Sequence, residues 1–347
     1  MREQRAIPSM NDFEKHKLND RTGLNWVHRF GWIRTAELGA MLWPSTAPAS
    51  ATRQANRIVK SWVKRGLVIE RELPDRAGRA LVLAQRGVDL LTEHDVKAAT
   101  GKDIGKLIAE PEWHPPLKYE PVWLPPKTWR HDLLAAGILA ELHRQGWAVF
   151  PEREIRQRSA WLAKLPDGLA VRGTDVAWLE VERAHKTGPE GRKLTDALCA
   201  VGAGESVSVL GHRPTVALVA YAPSARDSRG CAIDHRARIT NAVSETAKKP
   251  VAILWAACTL RGPAGLGTVK FERETIGTDR AAGILKRMSW QPDPAEEGVL
   301  VAGYSQYLAR VWEDEYGWSY QIDERPAGYA DNMTAAKRAC ADEIAGL

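Results

Sequence analysis

Apolar positions near the start of the chain recur with the spacing of helices. Trp26 and Phe30 predict a first helix, and Thr35 is the expected N-cap of a short second one. A longer third helix is predicted over residues 51–65, because its apolar residues share one face and Gly66 follows as a helix-ending glycine. The pattern therefore predicts three consecutive helices.

Strand-like apolar runs follow the third helix directly. Residues 67–69 and 81–83 predict two strands, and the polar residues 74–79 between them predict the turn of a hairpin. Three helices followed by a hairpin are the order of elements in a winged helix-turn-helix, whose longest helix enters the major groove of DNA. We expect a winged helix over residues 21–108, preceded by a flexible N-terminus of residues 1–20.

The rest of the chain divides into a linker and two further units. Six prolines fall within residues 109–128, where they exclude a helix interior and predict an extended linker with few contacts across it. Over residues 129–290, strands alternate with helices of ten or more residues, as in a mixed α/β domain. Residues 291–347 predict a small unit of short antiparallel strands and a closing helix capped by Asn332 or Thr334. The expected fold class is α+β with a central α/β domain.

Charge is concentrated in one part of the chain. The 347 residues carry a net charge of +6, and most of the excess falls between residues 50 and 90, where nine basic residues face four acidic ones. Clustered cations favour an anionic partner such as the DNA backbone, although a solvated surface face is the common alternative. The candidate DNA-binding residues lie on the third helix and at the hairpin tip: Arg53, Arg57, Lys60, Lys64, Arg76 and Arg79.

Composition limits the setting in which the protein works. Its four cysteines lie far apart without metal-binding spacing, which favours reduced thiols in a cytoplasm. No apolar run approaches the roughly 18 residues of a membrane-spanning helix, and the first residues lack the apolar core of a signal peptide. We therefore expect a cytoplasmic protein without a membrane partner. Most of the 14 tryptophans fall within apolar patterns, which favours core positions over base stacking.

One group of carboxylates in the α/β domain carries potential chemistry. Asp167 follows a proline in a turn, and Glu180 and Glu182 end a predicted strand. Residues two apart on a strand project to the same face, so Glu180 and Glu182 point together, and Asp167 from the neighbouring strand would complete a three-carboxylate pocket. Such pockets hold Mg²⁺ or Mn²⁺, which can activate a water and stabilise a phosphodiester transition state. Asp167 and Glu180 are the candidate metal ligands.

This arrangement resembles the PD-(D/E)xK nucleases. Asp167 after its proline and Glu180 match their motif, and Glu141 is a candidate for the carboxylate that a preceding helix often supplies. Glu182 occupies the position at which these enzymes usually have lysine, and the nearest cation that could take its place is Lys186. The resemblance implies metal-dependent cleavage of DNA in which Asp167 and Glu180 hold the metal. Glu182 would assist as a ligand or base, and Lys186 would stabilise the leaving charge.

Over residues 22–260 the chain also resembles the replication-relaxation family of plasmids and integrative mobile elements. The shared features are an N-terminal winged helix, a linker, a histidine that opens a helix (His131), and a Pro-Asp turn before a strand that ends in Glu180-Val181-Glu182. The resemblance implies a DNA-binding protein of replication or transfer with a nuclease-like domain. Its implied partners are double-stranded DNA and either a second copy of the chain or other replication and transfer proteins. A histidine that stands alone at a helix start, as His131 does, is more often a structural residue.

Other interpretations of the same residues stay open. Asp167 could belong to a common turn, with Glu180 and Glu182 as the solvated face of an edge strand. His185 and Lys186 could bind a phosphate without catalysis. The chain would then be a non-enzymatic winged-helix transcriptional regulator or a protein-assembly factor, and a protein-interaction module that has lost DNA binding is a third possibility.

Overall fold

A computed structural model describes residues 12–101, 104–108, 122–159, 162, 164–184, 186, 188–226, 229–261, 265–315 and 317–346. Within these ranges, α-helices pack against β-sheets, and the predicted α+β class is confirmed. Three groups of elements follow one another along the chain.

The first group combines helices with a three-stranded antiparallel sheet of order β1-β3-β2. Its elements are α1 (Asp12–Phe30), β1 (Ile33–Arg34), α2 (Thr35–Leu42), α3 (Pro48–Arg65), β2 (Val68–Glu72), β3 (Arg79–Leu83) and α4 (Gln85–Thr92). A 3-10 turn at Pro74–Arg76 joins β2 to β3. Helix α1 covers residues 12–20, which the sequence pattern assigned to a flexible N-terminus.

Helix α3 begins at Pro48, three residues before its predicted start, because proline is well suited to the first helical turn. It ends at Gly66, whose φ of 68° is in the left-handed region that the sequence predicts for this glycine. One face of the helix is buried at intervals of four, four and three residues: Ala51, Ala55, Val59 and Trp62. The opposite face is therefore left to solvent.

The prediction of Thr35 as an N-cap is wrong by one position. Thr35 is the first residue of α2, and the cap position belongs to Arg34, which makes no side-chain cap bond. The Arg34 guanidinium instead donates to Glu37 (Nε–Oε2 2.9 Å) and to the carbonyl oxygen of Ala77 (3.1 Å). An arginine thus ties the start of α2 to the hairpin.

The second group is built on a six-stranded sheet of order β11-β10-β9-β8-β7-β6. Its elements are β4 (Lys106–Ile108), β5 (Val122–Leu124), α5 (Trp129–Arg144), β6 (Ala148–Pro151), α6 (Glu152–Arg158), β7 (Gly168–Arg172), β8 (Asp175–Glu182), α7 (Gly188–Ala203), β9 (Val216–Tyr221), α8 (His235–Thr246), β10 (Val251–Arg261) and β11 (Gly265–Ile276). Strands β8, β9 and β10 are parallel and the other pairings are antiparallel, so the sheet is mixed as expected. Strands β4 and β5 pair in a separate two-stranded sheet, and residues 109–121 of the predicted linker lie outside the described ranges.

Helices cover both faces of the central strands. Strand β9 is buried along its whole length. On one face of the sheet its side chains share a hydrophobic core with α5, and on the other face they share a core with α7 and α8. The sequence pattern predicts a strand over residues 148–156, but only Ala148–Pro151 form one. The residues after it form α6, because ion pairs at i,i+4 spacing join Glu152 to Arg156 and Glu154 to Arg158.

The first group packs directly on the α/β sheet, so the expectation of few contacts between them is wrong. Leu134 and Ile138 of α5 share a hydrophobic core with Leu38 of α2. Arg144 Nη1 also donates a hydrogen bond to the carbonyl oxygen of Thr46 (2.8 Å). The reason is that α5 is apolar on two sides, one facing the sheet and the other facing α2.

The third group is a five-stranded antiparallel sheet with two helices on one face. Its elements are α9 (Arg280–Arg287), β12 (Gln291–Pro292), β13 (Leu300–Tyr304), β14 (Tyr307–Asp314), β15 (Gly317–Ile322), β16 (Gly328–Ala330) and α10 (Met333–Gly346). The amide of Ala335 donates to Asn332 Oδ1 (2.9 Å), so of the two predicted caps Asn332 is the one used. Ile284 of α9 packs in the same core as Ile344 of α10, which joins α9 to this group.

Candidate functional site

The predicted carboxylates lie together where β7 and β8 pair. Asp167 immediately precedes β7, and its amide donates to the carbonyl oxygen of Leu179 on β8 (2.9 Å). Asp167 Oδ2 in turn accepts a hydrogen bond from the amide of Val181 (2.7 Å). These two bonds fix the Asp167 carboxylate beside the strand that carries Glu180 and Glu182.

Both glutamates are completely buried, with 0% of their surface exposed. Strand β8 lies between β7 and β9 in the middle of the sheet. The interpretation of Glu180 and Glu182 as the solvated face of an edge strand is therefore wrong. The interpretation of Asp167 as a residue of a self-contained turn is also wrong, because its side chain binds the neighbouring strand and not its own turn.

Asp167 makes a second contact, with the first turn of α5. His131 Nε2 lies 3.1 Å from Asp167 Oδ2, and His131 Nδ1 lies 3.5 Å from Asp132 Oδ1. Burial alone would lower the pKa of His131, but its hydrogen bonds to Asp132 and Asp167 raise it to about 10. The pKa of Asp167, which burial would raise, is lowered chiefly by the hydrogen bond to His131. The two side chains therefore form an ion pair at neutral pH.

Glu180 is held by two donors. Lys164 Nζ donates to Glu180 Oε2 and Trp178 Nε1 donates to Glu180 Oε1, each at 2.7 Å. Burial, and then the nearby negative charge of Asp167, raise the pKa of Glu180 to about 7. Near neutral pH this carboxyl group is thus divided between its neutral and its charged form.

Glu182 is held by two cations. Lys186 Nζ donates to Glu182 Oε1 (2.6 Å), and Arg238 Nη2 donates to Glu182 Oε2 (3.3 Å). Although burial works in the opposite direction, the charge of Glu182 raises the pKa of Lys186. Glu182, which stands at the position of the motif lysine, is therefore paired with two cationic side chains.

Each of the three carboxylates consequently has a cationic partner. Among the described residues, no group of three or more His, Cys, Asp or Glu side chains is placed to hold a metal ion. The predicted metal ligands Asp167 and Glu180 are instead directed at His131 and Lys164. In this arrangement the site is a network of ion pairs, and a divalent cation would have to displace at least one of them.

A cleft of about 470 Å³ opens in front of the pair formed by His131 and Asp167. The first group contributes Trp32 to its wall, and α6 contributes Arg153. Arg153 is half-buried, its Nε has no hydrogen-bond partner among the described residues, and burial lowers the pKa of its guanidinium. The cleft gives solutes access to one edge of the carboxylate site.

The predicted DNA-binding cations of α3 are all exposed. Arg53 Nη2 donates to Ser50 Oγ one turn earlier (3.1 Å), its one side-chain hydrogen bond within the described ranges. In the part of the chain that the structure describes, Arg57, Lys60 and Lys64 make no hydrogen bond or ion pair through their side chains. Their charges are therefore available to an external anion.

The two cations at the hairpin tip differ. Arg76 is exposed and has a φ of 58°, whereas Arg79 pairs with Glu70 across the hairpin (3.0 Å). The neighbouring Asp75 forms an ion pair with Arg130, the second residue of α5. The tip is thus fastened to the α/β group beside His131.

Sequence reasoning missed three residues of the site: Lys164, Trp178 and Arg238. Lys164 and Trp178 lie within three residues of the motif carboxylates and could have been found by their spacing. Arg238 comes from α8, 56 residues after Glu182, and no local pattern identifies it.

Two further expectations concern Glu141 and His185. Glu141 is wrong as a site residue, because ten residues of α5 separate it from His131 by about 15 Å and it accepts a hydrogen bond from Gln145 instead. The suggestion that His185 binds a phosphate falls on a residue outside the described ranges.

None of the known protein-family models, curated proteins or solved structures matches this chain. In the described ranges, no helix has the length and apolar character needed to cross a membrane.

Proposed function

We propose that this chain is a DNA-binding protein of a mobile genetic element, acting in replication, transfer or their regulation in the cytoplasm. The observation that carries the proposal is the row of exposed cations on α3. The order of elements α1-β1-α2-α3-β2-β3, with β1 paired to β3, supports a winged helix in which α3 is the recognition helix.

The spacing of these cations suits a nucleic-acid backbone. Arg53, Arg57, Lys60 and Lys64 recur at intervals of four, three and four residues and so follow one side of the helix over about 16 Å. Buried Ala55 and Trp62 occupy the opposite side and hold α3 against α1 and α2. The helix can therefore offer its basic side to phosphates without unpacking.

To test this proposal, we would measure the binding of duplex DNA to two variants that each lose three positive charges. Arg57→Ala, Lys60→Ala and Lys64→Ala together remove three charges from α3. The control removes three charges that are also exposed but lie elsewhere, through Lys248→Ala, Lys249→Ala and Lys270→Ala. We expect a gel shift with duplex DNA to weaken at least tenfold for the α3 variant only. Equal weakening in both variants would mean that net charge alone attracts DNA.

Phosphodiester cleavage is a second candidate function. It is favoured by the burial of Glu180 next to Asp167, which raises the pKa of Glu180 to about 7, since strongly perturbed groups concentrate at functional sites. Because the carboxylates are paired with His131 and Lys164, they do not fit a metal ion as they are placed. The alternative is a non-enzymatic regulator or assembly factor with the same winged helix, acting as a homodimer or with replication and transfer proteins.

A melting curve with and without Mn²⁺, run beside a plasmid-nicking assay, separates these functions. A Mn²⁺ shift and nicking that are both lost in Asp167→Ala would support the nuclease. An unchanged melting temperature and intact plasmid would favour the non-enzymatic protein, with the ion pairs as structural elements.

A further inference from the structure

A second cleft, of about 590 Å³, lies between α7, α8 and α9 and is lined in part by the two cations that hold Glu182. We name it the basic cleft. Five cationic side chains line it: Lys186, Arg192, Arg238, Lys286 and Arg287. The acidic residues in its lining are Asp196 and Glu245, so cations outnumber carboxylates by more than two to one.

The cations of the basic cleft are only partly neutralised. Lys186 and Arg238 share the single carboxylate of Glu182, and Lys286 is 3.3 Å from Glu245. Arg192 is exposed and makes no ion pair among the described residues. Even with Glu182 counted, the cleft keeps an excess of two positive charges. Such an excess, gathered in a concave surface, favours a multiply charged anion.

Polar groups in the cleft add to this preference. Arg238 Nε is buried and has no hydrogen-bond partner among the residues that the structure describes, while its Nη1 donates to the carbonyl oxygen of Lys186 (2.9 Å). The cleft also includes Gly188 and Gly191 in the first turn of α7, and the amides of a first turn lack partners within the helix. At Gly188 no described residue other than its chain neighbours lies within 4 Å of where a β-carbon would be.

The third group of elements completes the cleft. Lys286 comes from α9, which packs on α8 at Gly283. A β-carbon at Gly283 would lie 2.2 Å from the carbonyl oxygen of Glu245, so only glycine permits this close approach. The cleft therefore depends on the docking of the C-terminal unit against the α/β domain.

We propose that the basic cleft binds a phosphate monoester, and that in this protein the monoester is the terminal phosphate of a nucleic-acid strand. A phosphate monoester carries about two negative charges at neutral pH, which matches the charge excess better than the single charge of an internal phosphodiester. Lys186, Arg192 and Lys286 would contact the phosphate oxygens. The nucleic-acid source rests on the function proposed above, whereas recognition of the phosphate rests on the cleft alone.

Binding of labelled oligonucleotides tests this proposal on the full chain. We would measure fluorescence anisotropy with a single-stranded thymidine tetramer carrying or lacking a 5′-phosphate, at constant ionic strength. The phosphorylated tetramer should bind about tenfold more tightly, because each charge-assisted hydrogen bond contributes more than a neutral one. The double variant Arg192→Ala, Lys286→Ala should lose that preference. Neither residue holds Glu182, so this variant leaves the buried network intact.

Two controls distinguish the possible sources and sites. Lys248→Ala with Lys249→Ala removes the same charge from the exposed surface and should keep the preference. The α3 triple variant should also keep the preference for the phosphorylated tetramer. Loss of duplex binding by α3 can therefore be told apart from loss of phosphate binding by the basic cleft. If inorganic phosphate or a mononucleotide competes as well as the tetramer, the ligand is a small phosphate compound and the nucleic-acid source is wrong. Equal affinity for both tetramers, or equal loss in the Lys248 and Lys249 control, would overturn the proposal.

Discussion

His131 Nε2 lies 3.1 Å from Asp167 Oδ2, and this contact joins the first turn of α5 to the strand pair that carries the buried glutamates. The residue before it, Arg130, forms an ion pair with Asp75 at the tip of the hairpin. Two consecutive residues of α5 therefore contact the hairpin and the carboxylate site.

The first prediction concerns the charge of His131. Its pKa of about 10 means that the folded protein holds this proton more tightly than the unfolded chain does. The resulting stabilisation is full below about pH 6.5 and is lost as the pH rises towards 10. NMR titration of the His131 ring should show the raised pKa, and Asp167→Asn should bring it back towards 6.5. A pKa near 6.5 in the parent protein would mean that the ion pair is absent.

The second prediction concerns Glu180, whose pKa is raised to about 7 by burial. Between about pH 4.5 and 7 the folded protein keeps a proton that the unfolded chain has released, so stability falls as the pH rises through this range. Glu180→Gln has no such proton, and its urea midpoint should change less between pH 5 and pH 8. Glu141→Gln, on the surface of α5, is the matched control and should follow the parent. Identical pH profiles for Glu180→Gln and the parent would contradict the raised pKa.

The third prediction is the salt dependence of DNA binding. The slope of log K against log salt should decrease by about 0.9 for each phosphate contact that is lost. In Arg57→Ala, Lys60→Ala, Lys64→Ala we expect a loss close to three contacts, measured by anisotropy with duplex DNA at several salt concentrations. A weaker complex with an unchanged slope would indicate that these side chains do not touch phosphates.

The fourth prediction follows from the core that α5 shares with the first group of elements. A fragment of residues 125–347 exposes Trp129 and Leu133, which the full chain buries in one core with Val82 of β3. Apolar surface returned to water costs about 25 cal/mol per Å², so the fragment should melt at a lower temperature or aggregate. Thermal unfolding of the fragment beside the full chain measures this, and equal, cooperative melting would show that the α/β part needs no support.

The fifth prediction concerns the anchor of α3. Trp62 is fully buried, and its Nε1 donates to Asp20 Oδ1 (2.6 Å) on α1. Asp20→Ala leaves this buried donor without its acceptor and should lower the free energy of unfolding by about 1–3 kcal/mol. Urea denaturation provides the measurement, with Glu93→Ala on the surface as the control. If Asp20→Ala lowers the free energy of unfolding no more than Glu93→Ala does, a water molecule replaces Asp20 as the acceptor for Trp62.

Local pattern determined much of the architecture. The helix that ends at Gly66, the hairpin of β2 and β3, and α7 and α8 all follow from periodicity and turn residues, because short-range backbone preferences decide such elements. Burial of Trp62, Trp178 and Trp255 also follows from their apolar surroundings along the chain. The sequence also identifies Asp167, Glu180 and Glu182 as one group, because their spacing along two paired strands places them together.

Tertiary structure alone decided what surrounds that group. His131 reaches Asp167 from α5, 36 residues earlier in the chain, and Arg238 reaches Glu182 from α8, 56 residues later, so no local spacing predicts either contact. The same holds for the core between α2 and α5, because an apolar face specifies burial but not the partner that buries it. The sequence thus determined which groups are buried or charged, whereas packing determined which charges pair: pairing raises the pKa of His131, and burial beside Asp167 raises the pKa of Glu180.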